Sequence, residues 1–155
     1  MRMFGQMAGF GGVRASIWRV SLLLLIALGF LPSAQGQDSP LGKGKVSRSA
    51  FTSAVVDREP VDDIVLLDNG ATSIYFFTEL KFLQGRTIVH RWEYNGKVQA
   101  EVSFKVGGPR WRVYSKKTLY PSQQGEWTVI VKDQETGWPL EARMFRFKLP
   151  DEELP

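Results

Sequence analysis

Between Arg86 and Val106 two runs rich in β-branched and aromatic residues flank an Asn95-Gly96 pair. Asn and Gly both accept the positive φ that a two-residue type I′ turn needs at its central positions, so this stretch predicts a β-hairpin. With those two residues at the turn, Tyr94 faces Lys97, Trp92 faces Gln99, His90 faces Glu101 and Ile88 faces Ser103. The other side then carries Glu93 with Val98, Arg91 with Ala100, Val89 with Val102 and Thr87 with Phe104. Val98, Ala100, Val102 and Phe104 form an apolar row of period two, which marks that side as the core side. His90, Trp92 and Tyr94 are thereby assigned to the wet side. A slip of one residue would exchange the two sides.

The rest of the chain punctuates itself at similar intervals. Ala50–Asp57 reads as a first strand, and Arg58-Glu59-Pro60 as the turn that ends it, since proline cannot donate to an interior ladder. Asp68-Asn69-Gly70 leads into Thr72–Leu80, where Ile74, Phe76 and Leu80 alternate with Tyr75 and Phe77, the pattern of a central strand covered on both faces. Gly107-Gly108-Pro109 breaks the chain before Arg110–Lys116, which sets Trp111 and Val113 inward and Arg110, Arg112, Tyr114 and Lys116 outward. Gly125–Val131 places Trp127, Val129 and Val131 inward. Asp133–Gly137 closes another hairpin, returning along Trp138–Leu149. About seven strands at this spacing, with no helical period after residue 36, predict an all-β fold: an immunoglobulin-like or fibronectin-like antiparallel β-sandwich, favoured over a closed barrel.

Composition narrows the chemistry. There are no cysteines, which removes disulfides, thiolate metal sites and cysteine nucleophiles. Trp92, Trp111 and Trp127 must then supply the bulk that a disulfide contributes in antibody domains, each burying on the order of 200 Å². His90 is the one histidine; no metal site and no cofactor is expected. The formal charge of +4 sits largely at the N-terminus. Without Arg2, Arg14 and Arg19 the balance is 17 basic against 16 acidic residues, net +1. So weak a field argues against a nucleic-acid partner.

Residues 1–36 have the pattern of a secretory signal peptide, expected as a helix. Arg14 and Arg19 precede the apolar run Val20–Leu31, Pro32 breaks it, and Ala34-Gln35-Gly36 offers small residues to a signal peptidase, with cleavage after Gly36 or Ala34. The run falls short of the roughly 20 residues that span a bilayer, so membrane attachment is expected only through an uncleaved signal. The domain organisation is then signal 1–36, flexible leader 37–49, β-sandwich 50–149 and acidic tail 150–155.

Two constellations bear on function. The predicted His90–Glu101 pair resembles acid/base machinery, because a carboxylate beside an imidazole raises its pKa and orients its ring. Ser103, the nearest hydroxyl, lies about 7 Å further along the face, too far for a direct triad contact. No nucleophile elbow, phosphate loop or dinucleotide fingerprint is present. A sheet-stabilising role for the pair therefore outweighs a hydrolytic one. The second constellation is aromatic and basic: Trp92, Tyr94, Arg112 and Tyr114, with His90 and Glu101 as a polar centre. Flat rings stack on sugars or cover peptide side chains while polar groups fix orientation. Burial of these rings in the core is the competing reading.

Four motifs in order carry a family likeness: Phe76–Leu80, His90-Arg91-Trp92-x-Tyr94-x-Gly96-Lys97, Arg110–Lys116 and Gly125-x-Trp127-x-Val129, with Val56–Pro60 ahead of them. Together they resemble the bacterial domain of unknown function 2914 over roughly residues 50–148. The resemblance implies an envelope-associated protein of Gram-negative type and brings no established activity. The sequence thus leads to the expectation of an exported periplasmic β-sandwich, not an enzyme, that binds an envelope protein or glycan. A hydrolase using His90 and Glu101 and a purely structural envelope protein are the alternatives. Exposure of Trp92 and Tyr94 separates the three.

Overall fold

A computed structural model of the chain describes residues 39–150. The expected signal peptide, its cleavage point, the first two leader residues and residues 151–155 of the tail lie outside the described residues. Seven long strands form two facing sheets. β1 (Lys45–Thr52), β5 (Ser73–Lys81) and β8 (Arg110–Thr118) make one, in the order β1-β5-β8. β6 (Thr87–Tyr94), β7 (Lys97–Lys105), β9 (Gly125–Asp133) and β10 (Pro139–Phe147) make the other with the two-residue β4 (Leu66–Leu67), in the order β4-β10-β9-β6-β7. A small hairpin of β2 (Val55–Val56) and β3 (Glu59–Pro60) stands apart from both. All pairs of long strands are antiparallel. Taken in chain order as a to g, the long strands give a-b-e facing g-f-c-d. This is the sandwich expected, in its fibronectin-like form: the fourth long strand pairs with the third rather than the fifth.

The core is aromatic where a disulfide is lacking. Phe51 lies 4.6 Å from the ring of Phe145, 4.8 Å from Phe76 and 5.9 Å from Trp92. Trp127, Val129 and Val131 are fully buried, as their alternation predicts. Trp111 is on the inner side of β8 but at the end of the sheet, still 38% exposed. It covers Gly107, where an added Cβ would meet the indole at 2.9 Å, so glycine is what allows the approach. As its two apolar faces require, β5 is central in its sheet.

The sequence expectations need correction in two stretches, the leader with the first strand and the organising hairpin. Lys45–Ser49 is not flexible leader but the first half of β1, laddered to β5. Its side chains show no apolar period because Val46 packs on the core while Ser47 and Arg48 engage the carboxylate of Glu79. Leu41, further upstream, is buried in the core. The first strand also stops at Thr52, short of Asp57. Asp62 accepts from Thr52 Oγ1 at 2.6 Å, the Ser53 amide at 2.8 Å and Ser53 Oγ at 2.6 Å. That clamp folds the chain into the separate β2–β3 hairpin.

The second correction concerns the faces of the organising hairpin. Asn95 and Gly96 adopt φ of 47° and 75°, the expected turn. Tyr94 pairs with Lys97 and Glu93 with Val98, also as expected. The register then shifts: Trp92 pairs with Ala100, Arg91 with Glu101 and His90 with Val102. Gln99 is the extra residue of a β-bulge. Because side chains alternate with period two, one inserted residue reverses the relation between the strands from there on. Ala100, Val102 and Phe104 still face inward, but their partners are Trp92, His90 and Ile88. Thr87, Val89, Arg91 and Glu93 face out.

Candidate functional site

His90 and Trp92, expected on a wet face, are fully buried between the sheets. They belong to a neutral polar network that joins β6 to β5 and β8. Trp92 Nε1–H donates to Ser115 Oγ at 2.9 Å. His90 Nδ1 lies 3.0 Å from the same oxygen, and Nε2 lies 3.0 Å from Thr78 Oγ1. A neutral imidazole has one donor and one acceptor, and either hydroxyl satisfies either. Phe76 and Phe104 close over the ring at 5.0 and 4.8 Å. Burial without a counter-charge pushes the His90 pKa down to about 3. His90 and Glu101 do not meet, so the expected acid/base pair is not formed. Glu101 stands on the outer face of the five-stranded sheet and accepts from Lys132 Nζ at 2.8 Å.

The remaining expected residues separate as well. Tyr94 is half-buried at the rim of the core, its ring 5.2 Å from Trp127 and its hydroxyl donating to the Gln124 carbonyl at 2.9 Å. Arg112 and Tyr114 stay on the outward face of β8. The six residues proposed as one face thus lie in three places: the bulge parts His90, Trp92 and Tyr94 from Glu101, and Arg112 and Tyr114 belong to the other sheet.

Arg112 and Tyr114 belong to a second polar centre that sequence reasoning did not assemble. It is built around Glu79 of β5, whose side chain is 3% exposed. Arg110 Nη2 donates to Glu79 Oε2 at 2.7 Å and Arg112 Nε donates to it at 3.0 Å. Ser47 Oγ donates to Oε1 at 2.9 Å. Arg48 and Lys81 stand at 3.6 and 3.9 Å. Cross-strand register explains the gathering, since Arg48, Glu79 and Arg112 are direct partners across β1, β5 and β8. The hydrogen bond from Arg110 is the main cause that holds Glu79 down to about 2, with Arg112 and Ser47 adding to it against the opposing effect of burial. Above the sheet Glu59 of the small hairpin joins Arg48 at 2.6 Å and Arg112 at 2.9 Å.

Beside this centre opens a cleft of about 410 Å³ lined by Arg58, Arg110, Trp111, Arg112 and Tyr114. Three guanidiniums and two ring systems line it, and among the lining residues there is no carboxylate. Tyr114 is 49% exposed and packs edge-on against Tyr75 at 6.1 Å. Arg58 is the member with no ion pair among the described residues. It sits with Asp57 at the tip of the β2–β3 hairpin, and both hold positive φ, 51° and 63°. Aspartate tolerates that conformation, and arginine does not favour it. Arg48, Arg58, Lys81, Arg110 and Arg112 outnumber Glu59 and Glu79, which gives the centre and cleft a net excess of three positive charges. Such a site attracts acceptor-rich anions, because every guanidinium is a donor and none accepts.

The outward alternation of Arg110, Arg112 and Tyr114 was legible in the sequence. Arg58 was not: it reads as part of a chain-reversing stretch, and only the separate hairpin brings it to β8. Glu79 looked like one acid in an apolar strand. Compared with known families, residues 85–147 match the model of the family described as protein of unknown function (DUF2914). The resemblance drawn from the motifs holds over that stretch, which runs from the end of the β5–β6 turn through β10. Val56–Pro60 and Phe76–Leu80, and with them Arg58 and Glu79, lie outside the matched residues. No curated protein matches the chain.

Proposed function

We propose that this chain is an exported module of the cell envelope that works by binding, and that its binding site is the Arg58–Arg110–Trp111–Arg112–Tyr114 cleft. One observation carries the reading: an unpaired guanidinium converges with two half-exposed rings on a cleft whose charge is not balanced from within. Paired charges stabilise a surface, whereas an unmatched cationic group beside exposed rings is a feature of recognition sites. Export rests on the signal-like residues 1–36.

The test is retention of the purified protein on a carboxylated or phosphorylated matrix. Wild type is expected to bind at low salt and elute as salt rises; an Arg58→Gln, Tyr114→Ala double variant is expected to elute at distinctly lower salt. Identical elution of the two would remove the cleft from consideration. Fractionation of the cells, with N-terminal sequencing of the mature chain, checks export.

A second reading, a purely structural envelope protein, is supported by the burial of Trp92 and His90, whose network serves the sandwich itself. The two readings differ only in what they ask of the outer face, so the same retention experiment separates them.

A further inference from the structure

The strand edges of the two sheets are protected very unequally. β1 carries a bulge between Val46 and Arg48, and its Ser49 hydroxyl is tied to Glu141 of β10. β7 carries the Gln99 bulge. β4 is two residues long. Bulges, short strands and tethers of this kind discourage the pairing of further chains. β8 has none of them. Its nine residues pair with β5 in unbroken register from Ser73↔Thr118 to Lys81↔Arg110, and among the described residues no strand lies beside its other edge. In immunoglobulin sandwiches of the four-plus-three kind a fourth strand occupies that place. Here the candidate for it, β7, has gone to the other sheet.

The cleft follows this edge. It is lined by Arg110, Trp111 and Arg112 in succession, residues that point to opposite sides of β8. Arg58, Arg110, Arg112 and Tyr114 line it from the outer side of the sheet, and Trp111, from the inner side, brings the recess to the edge of the strand. Its far wall is Arg58. The edge is also charged in a pattern: Arg110, Arg112 and Lys116 alternate on the outer side with Tyr114, while Trp111 and Val113 occupy the inner side.

We infer that an extended, acidic segment of a partner protein adds to the open edge of β8 as a fourth strand, its carboxylates meeting Arg58, Arg110 and Arg112. This inference rests on the cleft being the binding site and names its partner. Main-chain hydrogen bonds to the edge supply affinity, and alternate side chains supply specificity. A segment with acids at every second position sets them opposite Arg110, Arg112 and Lys116, and its intervening apolar residues fall beside Trp111 and Val113. The same cations keep two copies of this chain from pairing β8 to β8, since like charges opposite one another repel. An anionic sugar would use the guanidiniums and rings but would leave the free amides and carbonyls of the strand unused.

The experiment uses a capped heptapeptide of alternating Glu and Val, titrated into the purified protein. Affinity is read by calorimetry and the strand amides by hydrogen exchange. Three probes accompany it: the same composition with Glu and Val in separate blocks, the alternating peptide N-methylated at every second residue, and an oligogalacturonate. The alternating peptide is expected to bind at least about tenfold more tightly than the blocked or N-methylated forms and to slow exchange at alternate amides of β8. Arg58→Gln is expected to weaken it roughly fivefold, without loss of folded structure, as the turn residue is exposed. Equal binding of the N-methylated peptide overturns strand addition. Binding of the oligogalacturonate with none of the peptides also overturns it, while leaving the cleft as an anion site. If no probe binds, the inference and the cleft reading fall together.

Discussion

Thr78 and Glu79 are neighbours on β5, both buried, and they face two different kinds of polar chemistry. Inward, Thr78 meets a neutral histidine, which a serine links in turn to an indole N–H, in a network that excludes charge. Outward, Glu79 is ionised and ringed by Arg48, Lys81, Arg110 and Arg112. The inner network spans the two sheets and holds them in register where other sandwiches use a disulfide. The outer one holds three strands of a single sheet and carries a cation excess to the surface. Charge is tolerable on the outer side because the arginine side chains reach water there; Arg110 is 58% exposed. Between the sheets the same charge would lack solvent and counter-ion alike. The difference separates two demands: uncharged polarity that serves the packing inside, and a cationic surface outside.

Trp92→Ala should break the inner half most severely. A cavity forms and Ser115 loses a donor, for a loss of about 4 kcal/mol in urea unfolding, enough to leave a domain of this size partly unfolded. Trp92→Phe, which keeps the ring and loses the N–H, should cost a fraction of that. Glu79→Gln tests the outer half. With the central anion gone, Arg110, Arg112 and Arg48 repel one another, and a loss of roughly 2–3 kcal/mol is expected, moderated by high salt. The tryptophan variant should show no such rescue by salt. A salt-insensitive Glu79→Gln would mean that the outer centre is held by packing rather than charge.

Acid distinguishes the halves by window. His90 stays neutral in the native state down to about 3, while the unfolded chain takes a proton near 6.5. The unfolded state therefore binds more protons between these values, and stability is full above 6.5 and declines as pH falls toward 3. From pH 7.5 to 5 the decline should be about 2 kcal/mol, and it should vanish in His90→Gln. Glu79 acts lower: its stabilisation is present above 4.5 and is lost as pH falls toward about 2. A wild-type stability that stays flat from pH 7.5 to 5 would contradict the buried neutral imidazole. The smallest stability effect belongs to Arg58→Gln, expected within about 0.5 kcal/mol of wild type because the residue makes no ion pair. Its consequence should appear in anion binding alone.

The predicted and observed hairpins differ for a reason that can be placed at one residue. The Asn95-Gly96 turn was legible because it depends on the φ preferences of two adjacent residues. The alternation on β7 was equally plain, and Ala100, Val102 and Phe104 do face inward. What failed was the relation between the strands, because Gln99 bulges out and no local preference marks it as the odd residue. His90, Trp92 and Tyr94 changed sides in consequence. On β8, where no bulge intervenes, the outward set Arg110, Arg112, Tyr114 and Lys116 was read correctly. Arg58 and Glu79 escaped notice because each acquires its meaning from residues on other strands.

By itself the sequence determined the all-β class, the tight turns, the aromatic bulk that stands in for cysteine, and the inward rows of the β8 and β9 strands. These follow from backbone preference and from alternation within one strand, both local. Tertiary structure decided which row of β6 is core, which leader residues are strand, and which cations meet at Glu79. Those depend on how one strand is laid against another, and a single added residue is enough to reverse every contact beyond it.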